Sequence, residues 1–155
     1  MGENYTLCQK KEALRLMFKA TQDIYRALQQ VDGFKVFTDD HENSSDAWLQ
    51  FSVKNGSSYR IRFISKDNDN DVSVRVFGLL RVDDDQKARI LPALNELNVK
   101  YRFVKFCCDN DGDVNVEYDY PVNCISPAAS AKEMVIRFTQ IIDDAYPVLM
   151  RSLWS

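Results

Sequence analysis

His41 is the only histidine in the chain, and any Ser/His/acid or Cys/His nucleophile would have to use it. It sits among Asp, Glu, Asn and Ser with no apolar wall to shape a pocket, so it reads as a solvated loop residue. Carboxylates are plentiful and clustered: Asp39, Asp40 and Glu42; Asp67, Asp69 and Asp71; Asp83, Asp84 and Asp85; Asp109, Asp111 and Asp113; Asp143 and Asp144. Acid–base work needs one member of such a group raised in pKa by burial. These lie in polar stretches, where Asp serves turns and helix starts by accepting backbone amides. Neither Asp-rich turn fits a calcium loop, which wants Gly sixth and Glu twelfth. Counted from Asp67 those places hold Val72 and Gly78, and from Asp109 they hold Val114 and Tyr120. The cysteines, Cys8, Cys107, Cys108 and Cys124, form no CxxC pair, and no glycine-rich phosphate cradle occurs. No catalytic residue, metal ligand or cofactor is assigned, and the protein is expected not to be an enzyme.

Twenty basic against twenty-three acidic residues give a net charge of −3, which offers no global attraction to nucleic acid or to anionic lipid. No apolar run approaches the roughly 20 residues that span a bilayer, and no apolar signal segment opens the sequence. Together with the unpaired cysteines this makes the reducing cytoplasm the expected compartment. The opening Met1 to Thr6 fits the loose myristoylation pattern, but so short a pattern matches by chance. Residues 1–155 are expected to form one domain, with 1–8 lacking fixed structure.

The elements that would position any site follow from hydrophobic period. Leu14, Met17, Phe18, Ile24, Tyr25, Leu28 and Val31 recur at steps of three and four and predict one amphipathic helix from Gln9 to Val31, closed at Gly33. Phe34 to Thr38, Ala47 to Val53, Ser58 to Lys66 and Val72 to Leu80 alternate with period two and read as strands, with Asn55 and Gly56 making a hairpin. Asp83 caps a second helix to about Asn98, with Ile90, Leu91, Leu94 and Leu97 as its buried stripe and Pro92 expected to bend it or delay its start. Tyr101 to Cys108 and Val114 to Tyr120 form a hairpin around Asp109 to Gly112. A last helix from Pro127 or Ala128 carries Ala131, Met134, Val135, Phe138, Ile141, Ile142, Ala145 and Leu149 on one stripe. Pro147 is expected to kink or end it, leaving Leu149, Leu153 and Trp154 as an apolar tail. Short turns between strands require antiparallel pairing. The fold class is α+β, with helices on one face of an antiparallel sheet.

One parity of the strands is apolar: Leu49, Phe51, Val53, Ile61, Phe63, Val74, Val76, Val114, Val116 and Tyr118. The other is mixed. It places Trp48, Ile64, Phe77 and Leu79 among Gln50, Arg60, Arg62 and Arg75, a combination of aromatic anchors and arginine enriched at the centres of protein interfaces. Trp48, Arg60, Arg62, Ile64, Arg75, Phe77 and Leu79 are the candidate protein-interaction residues.

The stretch Leu94 to Asn98, then Tyr101, Arg102, Phe103, Val104, Lys105 and Phe106, the turn Asp109 to Asp113, and Val114, Val116, Glu117 and Tyr118 resemble the YbjN family of bacterial proteins. The ending Ile141 to Met150 resembles that family's last helix. The resemblance implies a type III secretion chaperone-like fold in the order α-β-β-β-α-β-β-α, and a small acidic homodimer. It further implies a sensory-transduction regulator or chaperone-like protein that binds a protein partner or client segment, with neither nucleic acid nor membrane as partner. No catalytic residues come with it. The alternative is a small-ligand sensor, or an enzyme with a pocket beneath the last helix.

Overall fold

Where the amphipathic run from Gln9 to Val31 predicts one helix, the structure makes two. In the computed structural model, which describes residues 6–54, 56–67, 71–122 and 126–155, α1 spans Leu7–Leu16 and α2 spans Lys19–Gln29. Expectations resting on Met1 to Tyr5, Asn55, Asp69 and Cys124 lie outside the described residues. The break has a local cause. The Phe18 amide donates to Ser45 Oγ at 3.2 Å, and the Thr21 hydroxyl donates to the Ser45 carbonyl at 3.1 Å. Thr21 and Ser45 are both buried, so the chain meets its polar groups across 24 residues instead of within a continuous helix. Thr6, expected to lack fixed structure with the rest of 1–8, instead caps α1 in a reciprocal pair with Gln9, and Leu7 and Cys8 form its first turn.

The strands are β1 (Phe37–Asp40), β2 (Ser45–Ser52), β3 (Ser58–Ser65), β4 (Asp71–Arg81), β5 (Lys105–Cys108) and β6 (Asp113–Pro121), in one antiparallel sheet of order β1-β2-β3-β4-β6-β5. The strand foreseen at Phe34 to Thr38 starts three residues later. The helix α3 (Asp84–Lys100) begins at its Asp83 cap with a Gln86 capping box and runs through Pro92 without delay. Its Leu91, expected in the buried stripe, is 48% exposed, while Ile90, Ala93, Leu94 and Leu97 face the core.

The helix α4 (Pro127–Trp154) likewise continues through Pro147 to the end of the chain. A proline inside a helix costs about 3 kcal/mol. Burying Leu149 and Leu153 beyond it returns roughly 1.5–3 kcal/mol each, enough to hold the helical path. Those two leucines are core, and only Trp154 of the foreseen tail is exposed. The helices shield the parity that carries Leu49, Ile61, Phe63, Val74, Val76, Val114 and Val116, all buried. The opposite parity is the outer face of the sheet.

Candidate protein-binding face

The register lines the outer face into rows. Phe37 pairs with Trp48, Trp48 with Arg62, Arg62 with Arg75, Arg75 with Glu117 and Glu117 with Lys105, so one row crosses all six strands. A neighbouring row holds Asp39, Asp46, Ile64, Ser73 and Asp119. At one end of the first row the rings of Phe37 and Trp48 stack at 4.5 Å and 21°, and the Arg60 guanidinium lies over the indole at 4.2 Å. The indole Nε1 of Trp48 is covered and meets no acceptor among the described residues. Such a donor is expensive to leave unmet.

Six of the seven candidate residues lie on this face. Trp48, Arg62, Ile64 and Arg75 are half-buried and Arg60 and Phe77 are exposed, Phe77 by 55%. Leu79 is the exception. Its alternation with Phe77 predicts the outer face, but the pairing of β4 with β6 shifts register between Val76 and Leu80. Gly78 takes φ +61° there, and Leu79 turns into the core. The buried Asn115 fixes this bulge: its Oδ1 accepts the Gly78 amide at 2.8 Å, and its Nδ2 donates to Asp109 at 3.2 Å.

The arginines differ in what they face. Arg62 donates to Asp39 Oδ2 at 3.0 Å and to Asp46 Oδ2, and Arg75 donates to Asp119 at 2.6 Å and to the Tyr118 carbonyl at 3.2 Å. Burial works against the Arg62 charge, yet Asp46 and Asp39 outweigh it and raise its pKa. Lys105 is matched by Glu117 at 2.9 Å. Arg60 alone of these cations has no carboxylate partner among the described residues. Beside it Gln50, Ser58, Arg62, Phe77 and Gly78 line a hollow of about 270 Å³.

Sequence reasoning missed Asp46, since it placed the start of β2 one residue later, in the open. Asp46 is 2% exposed, and its Oδ1 lies 3.2 Å from Nε2 of His41. His41 is thus an exposed ring tied to a buried carboxylate, not a freely solvated loop residue. Single ligand atoms of Asp39, His41 and Asp46 lie within 4.8 Å of one another. The Arg62 guanidinium bonds to both aspartates and sets a fixed positive charge against this cluster, which opposes a cation there. Burial pushes the Tyr59 phenol up to about 12 and the Cys107 thiol up to about 11, the latter with help from the Glu117 carboxylate. Both stay protonated near neutrality and supply no base or thiolate.

The acidic turn is occupied by its own backbone. Asp109 Oδ1 accepts the Asp111 amide at 3.0 Å and the Asp113 amide at 2.9 Å, and these bonds, the Asp113 one foremost, hold its pKa down. The turn as read from sequence is the turn observed.

A family model described as "Putative bacterial sensory transduction regulator", YbjN, matches residues 40–150. The chain belongs to the YbjN family. No curated protein and no solved structure gives a match. The YbjN match runs from the last residue of β1 into α4 and includes the six outer-face residues, the Asn115 bulge lock and the acidic turn. Phe37 and the two N-terminal helices lie outside it. No helix among the described residues is long and apolar enough to cross a membrane.

Proposed function

We propose that this YbjN protein is a non-catalytic regulatory module that acts as a cytoplasmic homodimer. In this reading it holds a segment of a protein partner on the outer face of its sheet, as a secretion chaperone holds its client. One observation carries it: the Phe37–Trp48 stack under Arg60, with Phe77 standing free across the hollow. Trp, Phe and Arg clustered in one patch beside polar residues are the residue types of an interaction hot spot. Ile64 and the paired Arg62 and Arg75 form its floor.

A photoreactive phenylalanine analogue at position 77 tests this in living bacterial cells. A discrete adduct heavier than the protein is expected on illumination, and its loss in the Trp48→Gln background. The same analogue at Glu96, exposed on α3, is the negative control. An adduct-free position 77 overturns the reading. Light scattering of the pure protein settles the dimer separately: the mass of one 17.9 kDa chain removes the homodimer.

A further inference from the structure

We infer that the segment held at the Arg60 hollow is acidic, an extended peptide that places a carboxylate against Arg60 beside an aromatic or aliphatic side chain resting on Phe77. This rests on the protein-binding reading and adds the chemistry of the partner.

The argument is charge matching within the face. Arg62, Arg75 and Lys105 each meet a carboxylate of this chain at 3.0 Å or less, so their charges are internally balanced. Arg60 is not. Its guanidinium carbon lies 4.2 Å from the centre of the Trp48 ring system, and this cation–π contact keeps the charge beside the hollow before any partner arrives. A guanidinium so placed offers a carboxylate a planar fork of donors, which a lysine would not.

The surroundings agree in sign. The hollow contributes Gln50, Ser58 and Arg62 and no carboxylate. The outer-face acids Asp39 and Asp46 are turned to Arg62, and Glu117 to Lys105. Beside the hollow of about 270 Å³, the exposed Phe77 extends the surface as an apolar ledge, which suits a peptide that pairs a carboxylate with an apolar side chain.

A fluorescence titration tests the inference. Trp48 and Trp154 are the chain's two tryptophans, so Trp154→Phe leaves the indole under Arg60 as the reporter. Poly(Glu,Tyr) copolymer is expected to change Trp48 emission saturably, poly(Lys,Tyr) and inorganic phosphate to leave it unchanged. Arg60→Gln is expected to weaken the copolymer about tenfold or more, the loss of a hydrogen bond to a charged group. Arg60→Lys should recover only part of this. Raising salt from about 0.05 to 0.5 M should weaken binding of the Arg60 protein more than that of the Gln variant.

Equal response to the basic copolymer, equal response to phosphate, or an Arg60→Gln affinity matching that of the parent overturns the acidic-peptide assignment. Those results leave an adduct at position 77 standing. An adduct-free position 77 removes both readings together.

Discussion

At the residue scale, two glycines with positive φ lead to losses of different size from the same rule. Gly112, at φ +86°, gives its carbonyl to the Val82 amide at 2.8 Å, and a Cβ there would lie 2.2 Å from the Val82 oxygen. Gly78, at φ +61°, has no atom within 4 Å of the same position. Gly112→Ala therefore combines backbone strain with a clash against backbone that has no room to yield. It is expected to lose more than about 3 kcal/mol in urea unfolding. Gly78→Ala carries the conformational strain alone, about 1–3 kcal/mol. Equal losses in the two variants would refute the packing argument. Only the conformational half of this was legible in the sequence. Asp109 to Gly112 announces a tight turn by residue type, but the approach of Val82 from the far end of β4 has no local signature.

Elements were legible where a single period governs them, and illegible where a contact distant in sequence intervenes. The alternation of Leu49, Ile61, Phe63, Val74 and Val116 gave the buried face of the sheet and its mixed reverse. The same alternation misplaced Leu79, because the bulge depends on Asn115 of β6 reaching the Gly78 amide. It also left Asp46 unnoticed, since its burial follows from Arg62 and His41 closing over it. The first helix failed for a related reason. Its apolar spacing passes smoothly through Phe18, and the interruption comes from Ser45 taking the amide that a continuous helix would use. Ser45→Ala should expose this. It orphans the half-buried Phe18 amide and removes one partner of the buried Thr21, at about 1–3 kcal/mol. The circular dichroism of the variant is expected to gain helix as Met17 and Phe18 join α1 to α2. A stability equal to the parent's would show that the Ser45 hydroxyl does not hold the α1–α2 break.

The whole molecule adds a pH dependence whose sign follows from groups spread over the sheet. The Asp109, Glu117 and Asp119 carboxyls all titrate lower than usual. For Asp109 the cause is chiefly the Asp113 amide. For Glu117 and Asp119 burial pushes the other way and is outweighed, by Lys105 with Cys107 and by Arg75 respectively. A carboxyl depressed in the fold binds its proton more readily when unfolded. Its stabilisation is complete above the unfolded value, near pH 4, and is lost as pH falls through the folded values. Cys107 works at the other end. Its neutral thiol is favoured in the fold, raised from 9.0 to about 11, so its contribution is complete below pH 9 and disappears as pH rises toward 11. The melting temperature should therefore run nearly level from about pH 5 to 8.5, fall below pH 4 and fall again above pH 9. Asp119→Asn should lower the plateau by leaving Arg75 without its carboxylate and flatten the acid limb, since one fewer proton is taken up on unfolding. Cys107→Ser should flatten the alkaline limb, and its hydroxyl can still donate to Glu117. A melting temperature that holds or rises between pH 5 and 3 would show that these carboxylates are not the ones that stabilise the sheet. The outer-face ion pairs would then be ordering partners for Arg62 and Arg75 that leave Arg60 as the reactive charge, without themselves contributing to the stability of the fold.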